Sequence, residues 1–192
     1  MKWVTRAYVH LDRVASPWLI RRFIDQDAEF VFVPWGEEDR RPPDAIPFAL
    51  PGTEIGPHDD QGTTFRKLLV RYRLTDPALD AMERIIAAGV DYVLHGYRPG
   101  PADRNGQMAV GLVGIAEGMM LLHHPDADII RASLAVYDAL YMLLTAEHLV
   151  AAGGRTVPGH ADGRGPTSKT DFLRALLQES GTCRERFVGD AR

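Results

Sequence analysis

Cysteine is nearly absent from this sequence: Cys183 is the one such residue among 192. A chain with one cysteine forms no internal disulfide, which excludes the disulfide-stapled class of small secreted domains. Residues 1–6 also lack the continuous apolar run of a secretory signal. Both absences predict a protein of the reducing cytoplasm.

Positive charge is also in short supply. The sequence has 22 lysines and arginines against 26 acidic residues, a net charge of -4 and a pI near 6.0. Its largest basic clusters are the pairs 21–22 and 40–41, whereas a nucleic-acid surface needs a basic stripe. We therefore expect that this chain alone does not bind nucleic acid.

Long apolar runs and the common catalytic motifs are missing too. The longest weakly charged stretch, 106–122, is interrupted by Glu117 and several glycines and is short for a bilayer, so no membrane partner is predicted. The sequence has no phosphate-cradling Gly-Lys motif and no nucleophile elbow, which counts against the common nucleotide-binding and hydrolase classes. With 45% apolar residues, the chain can bury one core.

What the sequence does have is an amino end rich in polar side chains. Alternating apolar residues predict an extended segment over 3–11. The polar face of that segment would carry Arg6, Tyr8, His10 and Asp12.

A helix is predicted to follow directly. Ser16 suits an N-cap and Pro17 the first helical position, so the helix should begin there. Free N–H groups and the dipole at a helix N-terminus favour anions, so with the arginines at 6 and 13 beside it this corner predicts a small-anion site. Arg21 and Arg22 lie off the apolar stripe of the helix, so packing does not explain them. The alternative to a small-anion site is a charged, solvated edge strand followed by an ordinary surface helix.

Further elements follow from local patterns. The run 29–33 predicts a buried strand, and the proline-rich stretch 36–63 predicts a long, ordered, functional loop. A short helix is predicted over 64–71. Asp76–Pro77 is typical of a helix start and Gly89 of its end, and residues 90–95 then suggest a third strand.

The second half predicts an antiparallel helical hairpin over 107–123 and 128–151. Gly111, Gly114 and Gly118 share one side of its first helix and would let a backbone or a ligand come close. Residues 152–167 read as a flexible linker, and Ser168 with Asp171 as a capping box that opens a last helix in 168–192. The predicted class is α+β: one mainly helical domain over 1–151 with a small sheet and a long helical hairpin.

Two acids and one histidine stand out as candidate ligands. Glu117 and Asp138 lie in apolar surroundings, so we expect both to be at least half buried and to need a cation, a metal or hydrogen bonds. A salt bridge to Arg6 or Arg13 is the purely structural alternative. His58 lies in the long loop beside two aspartates, although no HxxxH or HExxH spacing supports a zinc site.

Several runs of residues also share a pattern with a known family. They are Trp3, Thr5–Arg6, Asp12–Ser16, Trp18–Asp25, Ala28 and Phe30–Val33, followed by Phe48, Pro51–Gly52, His58, Thr64–Phe65, Asp76–Leu79 and Tyr137–Tyr141. Together they resemble the chromate-resistance (ChrB-type) domain family as far as about Leu149. The resemblance implies a role in resistance to, or sensing of, the chromate oxyanion. Longer members carry an additional N-terminal segment associated with regulatory DNA binding, and we expect this chain to act without it.

The resemblance breaks down beside His58. The family often reads histidine and then Cys-Thr-Phe-Glu, whereas this chain has Thr63–Arg66 at that place. A hydroxyl and a cation replace a thiol and a carboxylate, which counts against metal or redox chemistry in this segment.

Three functions remain open at this stage. The leading hypothesis is a protein that binds a small inorganic oxyanion in a pocket formed by Arg6, Asp12, Arg13, Ser16, Arg21, Arg22 and Tyr141. In this hypothesis the arginines neutralise the anion, and Asp12, Glu117 and Asp138 hold the arginines in place. Its rival is a metal-dependent enzyme with iron, manganese or zinc held by His58, Glu117 and Asp138. The third is an interaction module whose arginines only form salt bridges. The apolar face of the last helix could cover this chain or a second copy, so a homo-oligomer also stays open.

Overall fold

The computed structural model describes residues 1–159 and 166–181. Its three strands are β1 (Lys2–Arg6), β2 (Glu29–Val33) and β3 (Ile46–Pro47). Its α-helices are α1 (Asp12–Leu19), α2 (Thr64–Arg71), α3 (Pro77–Leu94), α4 (Arg104–Leu122), α5 (Asp126–Ala152) and α6 (Pro166–Glu179). The predicted α+β class, mainly helical with a small sheet, is confirmed.

The sheet is parallel and has the strand order β2-β1-β3. Trp3 pairs with Phe30 on one side and with Ile46 on the other. Trp3, Val4 and Thr5 are fully buried, as expected for the central strand of a covered parallel sheet. Because ligands of open parallel sheets bind beyond the carboxyl ends of the strands, the loops after Arg6, Val33 and Pro47 mark the edge where a site is expected.

The amino-terminal corner differs from the prediction. The strand ends at Arg6, because Tyr8 and Leu11 adopt left-handed backbone angles (φ 60° and 43°) that break the alternation. The helix begins at Asp12, four residues before Ser16, so Pro17 lies inside it. Val14, Ala15 and the following residues through Leu19 are all buried, and this packing overrides the preference of proline for the first helical position.

The middle helices confirm one prediction and correct another. The structure has α2 over the predicted residues, whereas α3 continues through Gly89 to Leu94, so the predicted strand over 90–95 is wrong. Gly89 serves packing: a Cβ there would lie 2.8 Å from Leu11 Cδ2. The helix ends instead at Leu94, with His95 as its C-cap and Gly96 next in the chain at φ +71°.

The helical hairpin is antiparallel as predicted, since Arg104 at the start of α4 pairs with Glu147 near the end of α5. Gly111, Gly114 and Gly118, however, face open space and contact no close neighbour. Among the described helices, α5 alone is long and apolar enough to cross a bilayer, and half of its most apolar window is buried inside the protein, as is typical of a core helix.

The last helix packs against α5 and begins two residues before the predicted cap Ser168. Leu176 is buried there, so part of its apolar face covers this same chain. The centre of the predicted linker, 160–165, and residues 182–192, with Cys183, lie outside the described residues.

Candidate functional site: a cationic cavity at the sheet edge

A network of hydrogen bonds fixes the irregular segment between β1 and α1. The guanidinium of Arg13 donates to the carbonyl oxygens of Arg6, Ala7 and Tyr8 at 2.8–3.1 Å. From the other side, the carboxylate of Asp126 at the start of α5 accepts the N–H groups of Tyr8 and Val9, both at 2.9 Å. Residues 6–9, which lead to His10, are therefore held from two sides.

Asp12 anchors a second helix to this corner. Its buried carboxylate accepts the backbone N–H groups of Thr64 and Phe65 at 2.8 and 3.0 Å and the hydroxyl of Ser16 at 3.2 Å. Burial raises the pKa of Asp12, although these hydrogen bonds act in the opposite direction. Asp12 thus binds the N-terminus of α2 and forms no ion pair with an arginine of the described residues, contrary to its predicted role of holding the arginines.

Replacing Asp12 with asparagine is expected to destabilise the fold by about 1–3 kcal/mol, because an amide N–H₂ would then face one of the two backbone donors. Urea unfolding of Asp12→Asn and of the exposed control Asp39→Asn would measure the difference. Equal midpoints for the two variants would contradict the anchoring role.

Beyond the carboxyl ends of the three strands lies a cavity of about 210 Å³. Each strand contributes from its end or just after it: Arg6 from β1, Trp35 after β2 and Ala49 after β3. The remaining lining residues are His10, Leu11, Asp12, Arg13, Pro57, His58, Thr64, Val90, Val93 and Leu94. Two arginines and two histidines therefore meet at one cavity.

Trp35 positions the first arginine of this cavity. The guanidinium carbon of Arg6 lies 3.7 Å from the centre of the Trp35 ring, and Glu38 approaches Arg6 at 3.7 Å. The indole N–H donates to the carbonyl of Ala7 at 3.1 Å, which fixes the ring. A cation stacked on an aromatic face keeps its outer N–H groups available for a ligand.

Three cavity residues hold a buried nitrogen that lacks a hydrogen-bond partner: Nε of Arg6, Nε2 of His10 and Nδ1 of His58. An unpaired buried polar group costs about 1–3 kcal/mol. Only Thr5 and Arg21 hold further such atoms among the described residues. The cavity therefore concentrates hydrogen-bonding capacity that the protein itself leaves unused.

The cavity lining carries more positive than negative charge, with two arginines and one aspartate. Burial lowers the pKa of His10, Glu117 raises it and Arg13 lowers it further. Burial also lowers the pKa of Arg13, and the positive charge of Arg6 adds to that shift. Arg13 stays protonated nonetheless, so two guanidinium charges share the site without a fully compensating acid.

Six of the predicted site residues lie away from this cavity: Ser16, Arg21, Arg22, Tyr141, Glu117 and Asp138. Asp138 is buried and accepts from Arg22 through Nε at 2.9 Å and Nη2 at 2.8 Å, and from the Trp18 indole at 2.7 Å. The expected salt bridge of Asp138 therefore forms with Arg22 and not with Arg6 or Arg13. It joins α5 to the helical turn 20–24 that continues α1.

Ser16, Arg21 and Tyr141 also have structural partners. The hydroxyl of Ser16 donates to Asp12, and Arg21 donates to the carbonyl of Ala28 at 3.2 Å. The phenol of Tyr141 donates to Asp76 at 2.6 Å and so ties α5 to the N-cap of α3. None of the three lines the cavity.

The predicted metal set is not brought together either. Glu117 is exposed on α4, because that face of the helix lies outside the core, so the expected burial is wrong. Asp138 is occupied by Arg22 and Trp18. His58 instead lies beside Asp91 and His95 of α3, with ligand atoms within 4.8 Å of one another.

A known protein family matches most of this chain. The family model for the C-terminal domain of ChrB matches residues 3–144. This chain belongs to the ChrB-type chromate-resistance family. The matched range contains every residue that lines the cavity, together with Asp91 and His95.

One curated relative is Protein ChrB of Cupriavidus metallidurans, which is 40% identical over 76 residues. That match spans 39% of this chain and 22% of the relative, so it concerns only part of that protein. No solved structure matches the chain.

The sequence prediction for this ChrB-type chain leaves out Trp35, Asp91 and His95. Trp35 follows shortly after the predicted strand 29–33. Its place beside the cavity depends on the strand order of the sheet, which the sequence does not reveal. Asp91 and His95 are four residues apart, which is the spacing of two ligands on one helix face. That spacing is visible only once α3 is known to run beyond Gly89.

Where the chain departs from the family pattern, the structure has a helix cap. The hydroxyl of Thr63 accepts the N–H of Arg66 at 3.0 Å and caps α2. Arg66 is exposed and approaches Asp80 at 3.4 Å. These residues therefore serve the helix and its surface.

Proposed function

We propose that the cavity binds a small tetrahedral oxyanion of the chromate type. The convergence of Arg6, Arg13, His10 and His58 on one cavity at the carboxyl edge of the sheet carries this proposal. Guanidinium groups bind tetrahedral oxyanions through paired, charge-assisted hydrogen bonds. The membership of the chain in a chromate-resistance family makes chromate the first anion to test.

Charge supports an anion over a cation or a neutral ligand. Asp12 is the one acid in the lining, and its oxygens already accept two backbone N–H groups of α2. Burial lowers the pKa of Arg13, and repulsion by the positive charge of Arg6 lowers it further. A bound dianion would relieve this repulsion and satisfy nitrogens that are unpaired in the free protein.

Size supports a small ligand. The cavity of about 210 Å³ is below the roughly 300–1,000 Å³ of pockets for drug-sized molecules. It is several times the roughly 30 Å³ that one water molecule occupies in the liquid. An inorganic oxyanion with a few waters fits this volume.

Isothermal titration calorimetry of the purified chain with chromate and with sulfate tests this function. We expect saturable heat with one anion bound per chain for chromate, and weaker or equal binding for sulfate. A titration in which neither anion produces heat above dilution, at several temperatures, would refute anion binding.

The affinity for sulfate is expected to rise as the pH falls from about 8 to 6. Burial holds the pKa of His10 below its ordinary value of 6.5, so the free protein carries a neutral imidazole at pH 7. A dianion in the cavity favours the protonated form, so binding takes up a proton and acid strengthens it. Sulfate is the probe because chromate itself takes up a proton in this pH range.

The proton uptake is measured by titrating sulfate in two buffers with different ionisation enthalpies. His10→Gln should abolish the uptake, and the exposed control His148→Gln should retain it. Identical heats in the two buffers for the unmodified chain would contradict this role of His10.

A further inference from the structure

Two histidines and one aspartate meet beside the cavity, and the proposed anion site uses only one of them, His58. Asp91 lies on the last turn of α3, His95 is the C-cap of that helix, and His58 reaches them from the long loop. Each offers one ligand atom, and these atoms lie within 4.8 Å of one another. Asp91 and His95 do not line the cavity, so the cluster shares only His58 with it.

The spacing within this cluster is close to that of a metal site. Nδ1 of His95 lies 2.9 Å from Oδ1 of Asp91, and Nε2 of His58 lies 3.8 Å from the same oxygen. Ligands at 2.0–2.2 Å from a tetrahedral zinc ion are about 3.3 Å apart. The two observed distances lie on either side of that value, and the rings of His58 and His95 are 5.7 Å apart between centres.

Hydrogen bonds of the backbone and of Lys67 fix the chain around all three side chains. The N–H groups of His95 and Tyr97 both donate to the carbonyl of Asp91, which fixes the end of α3. Lys67 fixes the loop on both sides of His58: its ammonium donates to the carbonyl of Pro57 and pairs with Asp59 at 2.7 Å. The three side chains therefore approach one point without a rearrangement of the chain.

We propose that His58, Asp91 and His95 form a binding site for a divalent transition-metal ion of the zinc class. Two imidazole nitrogens and one carboxylate oxygen suit Zn²⁺ or Co²⁺ and are poorly suited to Mg²⁺, which prefers oxygen ligands. Three protein ligands leave at least one position for water. Ligation through Nε2 of His58 would leave the proton on Nδ1, so the ring remains a hydrogen-bond donor. The site goes beyond the proposed anion binding and does not depend on it.

The test titrates chelator-treated chain, without a polyhistidine tag, with Co²⁺, whose visible absorption bands report its coordination. We expect saturation at one Co²⁺ per chain, displacement by Zn²⁺ and no displacement by Mg²⁺. Residues that merely support a metal ligand change affinity by about 10- to 100-fold, so His95→Ala and Asp91→Ala are each expected to weaken Co²⁺ binding at least that much. The exposed His148→Ala serves as the matched control.

Three outcomes would overturn the site: no Co²⁺ bands at one equivalent, binding unchanged in His95→Ala and Asp91→Ala, or equal loss in His148→Ala. Thermal unfolding followed by circular dichroism confirms that the variants remain folded, and both replaced residues are on the surface end of α3. A parallel sulfate titration separates the two proposals. A chain that binds sulfate but not Co²⁺ retains the anion site and refutes the metal site, and the reverse result refutes the anion site alone.

Discussion

Replacing Arg6 with glutamine is expected to weaken chromate binding by about 10- to 100-fold, since a hydrogen bond to a charged group contributes about 1.5–3 kcal/mol. Arg6 is the better of the two cavity arginines to change. Arg13 also donates to three backbone carbonyls, so its loss would disturb the corner itself. Arg6 is held mainly by stacking on Trp35 and by the longer approach to Glu38, so the fold should survive Arg6→Gln.

The Arg6 prediction is checked by calorimetry with chromate on three variants. Arg6→Lys keeps the charge but loses the planar fork and should bind with intermediate affinity. Arg40→Gln removes an exposed arginine that pairs with Glu37 and should bind as the unmodified chain does. Equal affinity of Arg6→Gln and Arg40→Gln would contradict a direct role of Arg6.

Replacing Asp138 with alanine is expected to reduce the free energy of unfolding by about 3–5 kcal/mol, the typical cost of breaking a buried ion pair. The change removes the carboxylate that accepts from both Arg22 and the Trp18 indole. For a chain of this size, such a loss corresponds to a fall in melting temperature of roughly 6–20 °C.

A change on the same helix provides the control for Asp138. Asp128 pairs with Arg131 at the surface of α5, and exposed pairs of this kind contribute about 0.2–1 kcal/mol. Denaturant unfolding should therefore separate Asp138→Ala clearly from Asp128→Ala. Similar midpoints would show that the Arg22–Asp138 pair does not support the junction of α1 and α5.

Local sequence patterns predict the bounds of a strand or helix well where interactions between residues close in sequence determine those bounds. The strand over 29–33 and the helix over 64–71 have the predicted bounds, because β-forming residues and a threonine cap act within a few positions. The corner after Arg6 could not be predicted in this way. Its left-handed residue Tyr8 is held by Arg13 and by Asp126, and Asp126 is more than a hundred positions away.

In the candidate site, too, local sequence identifies some features and tertiary contacts determine the others. Residue type and position single out Arg6, Asp12, Arg13 and His58, and all four line one cavity. Their partners depend on tertiary packing. Asp138 of α5 pairs with Arg22 of the helical turn 20–24, and Glu117 is exposed because none of the described elements covers its side of α4.

Anomalous scattering from a chromate-soaked crystal tests the central claim most directly. The account predicts a chromium peak inside the cavity, within hydrogen-bond or ion-pair distance of Arg6 and Arg13, and no such peak in crystals of Arg6→Gln soaked in the same way. A well-occupied chromium site elsewhere on the chain, with the cavity empty, would contradict it.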